Sequence, residues 1–486
     1  MLMTWGLAVP AMAAEAPKVK VDNHDLNRQS PGISYASVVK RVTPSVVNIY
    51  STKIVKERQW EQFMLDPMFR RFFGEPPGRR QGPGQGQGRI QRHRERGLGA
   101  GVIVSADGYI LTNNHVVDGA DEIEIALADG KTRYKAKVVG TDPQTDVAVL
   151  KVEATGLPAL TLGDSDKLEV GDVVLAIGNP FNVGQTVTQG IISGIGRNQF
   201  HMAQFEDYIQ TDAAINPGNS GGALVDAEGR FIGINTFILT GGTMANAGVG
   251  FAIPINLARS VMERLVVDGK VRRGFLGVSL QPVTPDLAKA FKLSDESGAL
   301  INEVSSGFPG EKAGLKNGDV VVEFNDKPIK DSRHLQMLVS QTAPGSKATL
   351  KVIRDGQSKT LVATLGERDR SVDEDPDSTP QVSDDETSPR GLDGLSLSDM
   401  DRNLRRQFNI PASVRGAVVT EVEEGSDAAE SGITPGMVIL EADRKPVETV
   451  DELMQQAGRA RNGKVLLRVW SGDTTRFVVL SVAKAK

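Results

Sequence analysis

Gly218-Asn219-Ser220-Gly221-Gly222 is the point at which this 486-residue chain states its chemistry. A serine hydroxyl is a weak nucleophile near neutral pH. It needs a base to accept its proton and donors to hold the oxyanion that forms when it attacks a carbonyl. Glycines on both sides let the backbone bend tightly, so that the N–H groups of Gly218, Asn219 and Ser220 can converge beside the Ser220 hydroxyl as an oxyanion hole. The same residues also suit an ordinary turn, so the run acquires meaning only with partners elsewhere in the chain.

Five histidines are candidates for the base. His24 lies in a polar N-terminal tail, His93 in an arginine run, His201 in a loop-like stretch and His334 in an amphipathic segment far downstream. His115 alone follows two apolar runs of strand character, Gly101-Val102-Ile103-Val104 and Tyr109-Ile110-Leu111-Thr112. A histidine at a strand end serves structure as readily as catalysis, so a carboxylate is needed to fix its tautomer. Asp146 suits that role because it immediately precedes the apolar run Val147-Ala148-Val149-Leu150, whereas Asp142, before Pro143, reads as a turn residue. The order His115, Asp146, Ser220 is that of chymotrypsin-like double barrels; subtilisin-like and α/β-hydrolase folds order the three differently.

Three blocks carry a resemblance. Thr112-Asn113-Asn114-His115-Val116-Val117, Thr145-Asp146-Val147-Ala148-Val149-Leu150 and Asn216-Pro217-Gly218-Asn219-Ser220-Gly221-Gly222-Ala223-Leu224 resemble the catalytic blocks of the HtrA/DegP (Do-like) serine endoproteases, and the match extends over nearly the whole chain. One family position differs: Ala100, in Gly97-Leu98-Gly99-Ala100-Gly101, stands where a serine is frequent, with little consequence expected.

Composition bounds the alternatives. A chain of this length should hold several domains. Hydrophobic residues make up 39%, enough for packed cores, and there is no cysteine for a disulfide framework, a zinc cluster or a thiol nucleophile. The net charge of −5 argues against nucleic acid as the main partner. Gly130-Lys131-Thr132 resembles the tail of a P-loop, but Ile125 stands where the leading glycine belongs. No metal, nucleotide or organic cofactor is implied. Residues 1–14 are apolar and small and end in Ala11-Met12-Ala13-Ala14, which fits the end of a secretory signal except for the missing positive n-region. Either the true start lies upstream or this is an apolar tail; export is the preferred reading, in keeping with a family that is largely periplasmic.

The expected fold is mainly β. Short strand-like runs from about residue 30 to 268 predict a trypsin-like protease domain, which the resemblance makes a chymotrypsin-like double β-barrel with the site in the cleft between barrels. An insertion over about 55–97 begins with the aromatic segment Trp60 to Phe73 and continues Gly/Gln-rich. By position it resembles the family's long regulatory loop; the plainer alternative is a surface loop without function.

Downstream, Gly298-Ala299-Leu300-Ile301-Asn302-Glu303-Val304 matches Gly416-Ala417-Val418-Val419-Thr420-Glu421-Val422, and Pro328 answers Pro446. A period this long marks duplicated domains. Each copy, 272–366 and 391–486, resembles a PDZ domain. Between them, 367–390 is rich in Asp, Glu, Ser and Pro and reads as an extended acidic linker.

PDZ domains capture an extended C-terminal peptide as an added strand. In the first copy Phe275-Leu276-Gly277-Val278 should grip the peptide carboxylate. In the second, Leu392-Asp393-Gly394-Leu395 carries an acid that would repel one, and Met437 replaces the acid found at Asp319, so an assembly module is as good a reading there. By match to the family, Ile215 and Val249 wall the primary specificity pocket. Being uncharged, they predict cleavage after small or medium aliphatic residues, although both also suit core packing.

The resulting expectation is an ATP-independent endoprotease of unfolded or damaged envelope proteins, whose activity falls in acid because His115 must accept a proton. The resemblance implies a homo-oligomer built from trimers. A chaperone or scaffold with secondary proteolysis is an alternative reading; an inactive receptor is opposed by the complete triad.

Overall fold

The computed structural model describes residues 16–24, 34–56, 92–179, 184–198, 200, 202–216, 218–238, 248–367, 392, 394–460, 463–472 and 474–482. The signal-like segment 1–14, the aromatic part of the insertion, His201 and most of the acidic linker lie outside them. Two compact units are present, Met1–Val271 and Arg272–Lys486.

In the first unit, β1 (Val46–Lys56), β2 (Arg92–Ile103), β3 (Tyr109–Asn113), β4 (Glu122–Ala126), β5 (Arg133–Asp142) and β6 (Val147–Val152) close into an antiparallel barrel in the order β1-β2-β3-β6-β5-β4. β7 (Val173–Gly178), β8 (Thr186–Arg197), β9 (Tyr208–Thr211), β10 (Ala223–Asp226), β11 (Phe231–Ile238) and β12 (Gly250–Pro254) form a second, in the order β10-β11-β12-β9-β8-β7. Closure leaves no strand edge unpaired, which is how an antiparallel sheet avoids an exposed ladder. Inward β-branched and aliphatic side chains fill each barrel: Val47, Ile49, Ile103, Ile110, Ile125 and Leu150 in the first, Val174, Ile192, Ile209, Leu224 and Ile232 in the second.

The ladder between β1 and β2 continues to Lys56 opposite Arg92. The strand pairing thus overlaps both ends of the insertion read from the sequence over about 55–97. A helix, Ile255–Asp268, leaves β12 and packs on β5 and β6 of the other barrel, tying the two together. Its buried residues Ile255, Ala258, Met262 and Leu265 recur at helical spacing, and Gly269 ends it with φ of 69°. Gly130-Lys131-Thr132 is a hairpin turn between β4 and β5, with Asp129 accepting the N–H groups of Lys131 and Thr132.

The second unit contains two similar six-strand sheets, each with a main path of five strands. One runs Val278–Pro282, Ala299–Val304, Val320–Phe324, Lys347–Arg354 and Gln357–Thr364; the other runs Leu395–Asp399, Ala417–Val422, Val438–Ala442, Lys464–Ser471 and Thr474–Ser481. In each, a short two-residue strand pairs with the third. A helix covers each sheet, Ser332–Gln341 in the first and Val450–Ala457 in the second.

The duplicated domains differ in their cores. Asp319 is fully buried and accepts two bonds from Arg354, at 2.6 and 2.7 Å. The second copy replaces this pair with Met437, which joins an apolar cluster with Ile439 and Val419. Such an exchange removes two charges that are costly to desolvate.

The two domains also pack on each other. Phe477 of the second joins Val283, Leu287, Phe291, Leu300 and Val320 of the first, with Phe291 edge-on at 5.4 Å. Gln281 binds both backbone groups of Phe477, donating to its carbonyl at 3.0 Å and accepting its N–H at 2.8 Å. Lys464 reaches Asp286 at 2.8 Å.

Among the described residues no helix is long and apolar enough to cross a membrane.

Candidate active site

β3 and β6 are antiparallel neighbours, with Asn113 opposite Val147. His115, on the helical turn Asn114–Val117 that follows β3, therefore meets Asp146, which immediately precedes β6. Their contact is double. The His115 N–H donates to Asp146 Oδ1 at 3.0 Å, and Nδ1 lies 2.8 Å from Oδ2. Asn114 N–H and Asn113 Nδ2 both donate to the Asp146 carbonyl, at 3.0 and 3.1 Å. The side chains of His115 and Asp146 are 13% and 9% exposed, so the pair is shielded while the imidazole keeps an outlet. Asp146 has φ of 57°, a left-handed backbone that Asp adopts more readily than most residues. Asp142 anchors the preceding turn, accepting the Thr145 hydroxyl at 2.5 Å.

Ser220 lies between β9 and β10 and is fixed by both barrels. Its carbonyl accepts the Ala100 N–H from β2 at 2.8 Å, and the next amide, Gly221, donates to Asn235 of β11 at 2.8 Å. Gly221 is required here: φ is +84°, and a Cβ would lie 2.1 Å from the Ala100 oxygen and 2.3 Å from Thr112 Oγ1. Ala100 contributes through its backbone, so the serine frequent at this position is dispensable for these bonds.

A residue the sequence did not single out links the pieces. Thr236, in the buried strand β11, donates its Oγ1–H to Asp146 Oδ2 at 3.1 Å and accepts the Ser220 Oγ–H on its carbonyl at 2.8 Å. Within the apolar run of β11 a threonine reads as an ordinary strand residue, so no local signal marks it.

The three amides assigned to the oxyanion hole separate. Asn219 N–H donates to the Asn216 carbonyl at 2.9 Å and is committed to the turn. In this conformation that amide, the third assigned to the hole, is engaged within the turn. Among the described residues, the Gly218 and Ser220 amides donate to no backbone carbonyl. Gly218 has φ of +100°, so the chain reverses immediately before the nucleophile.

Ile215 is only 1% exposed and belongs to the apolar core of the second barrel, while Val249 is half-buried. The Ile215 side chain covers Gly250, whose Cβ position lies 3.0 Å from Ile215 Cδ1. Nearby, Phe200, Tyr208, Phe237 and Phe251 cluster with ring centroids 4.5 to 6.2 Å apart. Burial, reinforced by the charges of Asp146 and Glu206, pushes the Tyr208 phenol far up, so it stays protonated.

In the first sheet of the other unit, Val278–Pro282 is the end strand, hydrogen-bonded along one edge only among the described residues, and the helix Ser332–Gln341 lies against it. Gly277, with φ of +71°, allows the loop to pass under Phe308; a Cβ would meet that side chain at 2.2 Å. Leu276 is buried in the core, Phe275 pairs with Gly366, and the Phe275 and Phe308 rings meet edge-on at 5.4 Å. The Leu276 and Gly277 amides donate to no backbone carbonyl among the described residues. In the second domain Ser426 lies over Gly394 instead, and Asp393 is outside the described residues.

Of the remaining histidines, His24 is exposed beside Asp22, and His334 is half-buried on the helix Ser332–Gln341.

Comparison with known proteins agrees with this architecture. Residues 99–234 match the model of the trypsin-like peptidase domain, and residues 274–365 and 381–470 each match a PDZ domain model. A protein of Chlamydia trachomatis serovar D called probable periplasmic serine endoprotease DegP-like is 41% identical over 456 residues, 93% of this chain and 87% of its own. One of the same description from Hahella chejuensis is 41% identical over 492 residues, 99% and 97%. Among solved structures, the HtrA-type protease AlgW with tripeptide superposes with a TM-score of 0.55 and 45% identity, covering 69% of this chain and 98% of that one. The same protease with decapeptide gives 0.54 and 45%, covering 69% and 99%.

Proposed function

The chain belongs to the DegP-like, HtrA-type serine endoproteases, and on that premise we propose that it cleaves extended segments of unfolded or damaged proteins in the periplasm without ATP. The observation that carries the reading is the junction at Asp146 Oδ2, which receives both His115 Nδ1 and Thr236 Oγ1 while the Thr236 carbonyl holds the Ser220 hydroxyl. The Ser220 proton passes to Nε2 of the His115 imidazole as Oγ attacks the substrate carbonyl, and Asp146 stabilises the resulting imidazolium. The Gly218 and Ser220 amides, which donate to no backbone carbonyl among the described residues, receive the oxyanion. His115 then gives its proton to the leaving amine, and water, deprotonated by the same imidazole, releases the acyl group.

Ile215 and Val249 bound the pocket for the residue before the cut. Without a charge there, Lys and Arg are disfavoured, and the bulk of Ile215 over Gly250 favours Val or Ala. The open strand Val278–Pro282 takes a C-terminal peptide as an added strand, with the Leu276 and Gly277 amides receiving its carboxylate. The AlgW structures, which by description hold a tripeptide and a decapeptide, support peptide engagement in a relative. The periplasmic assignment follows the description of the relatives, and assembly as trimers or multiples of them is carried over from the family resemblance.

The test incubates purified wild type and Ser220→Ala with folded and with unfolded substrate and maps fragments by mass spectrometry. Cuts after Val and Ala, made only in unfolded substrate and only by wild type, are expected. Equal turnover by Ser220→Ala overturns the mechanism, and cuts clustered after Lys or Arg overturn the pocket. The open capture strand also supports a holding activity independent of cleavage, which Ser220→Ala would retain as suppression of aggregation.

A further inference from the structure

The segment between β8 and β9 contains a carboxylate engaged in an unusual way. Glu206 accepts three backbone N–H groups of its own loop: Phe200 at 2.9 Å on Oε2, and Met202 at 2.6 Å and Ala203 at 3.3 Å on Oε1. A loop of this length has no ladder to satisfy its amides, and one ionised acceptor replaces that ladder. The folded loop then reaches the other barrel, where the Phe205 N–H donates to the Gln144 carbonyl at 2.9 Å, two residues from Asp146. The Phe205 side chain is 5% exposed, so the contact is packed as well as bonded.

A second route runs through Phe200. Its ring lies 4.5 Å from Phe251 and 5.6 Å from Phe237, and Phe237 directly follows Thr236. The residues that Glu206 organises therefore bear on both supports of the Asp146 carboxylate, the turn that carries it and the strand that supplies its third hydrogen bond.

We infer that Glu206 is a positioning residue for the protease: by binding the amides of Phe200, Met202 and Ala203 it holds the Gln144–Asp146 turn and the Thr236 strand, and so keeps the Asp146 carboxylate aimed at His115. The inference rests on the proposed triad and adds to it a residue that touches neither substrate nor the reacting atoms. Asp146 is held in a left-handed backbone that costs energy and persists only while its surroundings fix it, so a turn released on one side can relax toward the ordinary α or extended regions.

Glu206→Gln tests this in the full chain with little change of shape. The amide offers one acceptor oxygen instead of two, so either Phe200 or the Met202–Ala203 pair loses its partner. Three quantities are read: the rate at which a fluorophosphonate labels Ser220, kcat and KM on a short peptide, and the downfield proton resonance of His115 Nδ1–H, assigned by its loss in His115→Ala. Labelling and kcat are expected to fall about tenfold or more with KM unchanged, and the downfield proton to shift or broaden.

A Glu206→Gln protein that labels at the wild-type rate with an unmoved proton signal overturns the inference. So does loss of the native fold in both Glu206→Gln and Glu206→Ala by circular dichroism, because then the residue supports the whole barrel rather than the site. Failure of the wild type to label at Ser220 would instead reject the triad itself, which separates the two claims.

Discussion

Ser220 and Thr236 are joined by a hydrogen bond of 2.8 Å, from the serine hydroxyl to the threonine carbonyl, and the same threonine donates its own hydroxyl to Asp146 at 3.1 Å. One residue of β11 thus touches the two ends of the catalytic set. Thr236→Val keeps the shape and the carbonyl but removes the donor to a charged carboxylate. A bond of that kind contributes about 1.5–3 kcal/mol, so kcat should drop about 10- to 100-fold with KM on a short peptide unchanged. Steady-state kinetics measures the split, and a rise in KM alone would assign Thr236 to substrate binding.

Asp146→Asn isolates the charge from the backbone. Asn tolerates the φ of 57° nearly as well as Asp, so the turn should persist, whereas Ala would add strain. The amide cannot hold the imidazole in the required tautomer, and kcat should fall on the order of 10⁴-fold with the melting temperature little changed. Thermal unfolding beside turnover decides it; residual activity within tenfold of wild type would remove Asp146 from the mechanism.

Gly221→Ala should fail more broadly. The added methyl would overlap the Ala100 oxygen and Thr112 Oγ1 in a backbone conformation hostile to L side chains. Loss of both activity and folded protein is expected, and a soluble variant with native circular dichroism would show that the loop has another conformation available.

Phe477→Ala probes the contact between the two sheet domains. Emptying a buried phenylalanine site costs about 3–5 kcal/mol. Calorimetry of the full chain should show the transition of the 272–486 unit moving down and resolving into two. A single unshifted transition would mean that the Gln281 and Asn302 bonds to the second domain hold the pair without the ring.

His334 supplies a prediction in pH. Burial, with Lys330 adding to it, holds its imidazole below the ordinary 6.5. The unfolded chain therefore binds the proton first. The contribution of His334 to the stability of this domain is full above about 6.5 and is lost as pH falls toward and through the lower folded midpoint. Following the His334 ring proton by NMR, assigned with His334→Gln, should give a midpoint under 6.5. A midpoint at or above that value would contradict the burial.

Much of this molecule was readable before folding. The mainly β class followed from short strand runs separated by turn residues, and the duplication followed from a constant offset, because both are written as residue identities along the chain. The candidates His115, Asp146 and Ser220 were named by type and order. Thr236 was not, because its part is played by one hydroxyl and one carbonyl in a strand indistinguishable from its neighbours. The bond from the Asn219 amide to the Asn216 carbonyl was hidden for the related reason that sequence shows an amide is present but not where it donates. Ile215 could be read as pocket wall or core from its type alone, and only the fold shows that its side chain both packs with the apolar cluster of the second barrel and covers Gly250.

What the chain alone determined is its chemistry and its local geometry: which nucleophile, which base, where glycine permits a reversed backbone, and which stretches alternate inward and outward. What folding decided is which backbone atoms meet. The bonds from Phe205 to Gln144, from Ala100 to Ser220 and from Gln281 to Phe477 all join distant segments, and most use peptide groups that every residue carries. A hydrogen bond between main-chain atoms leaves no mark in the identity of either residue, so it becomes visible only when barrel closure brings the two strands to the same place.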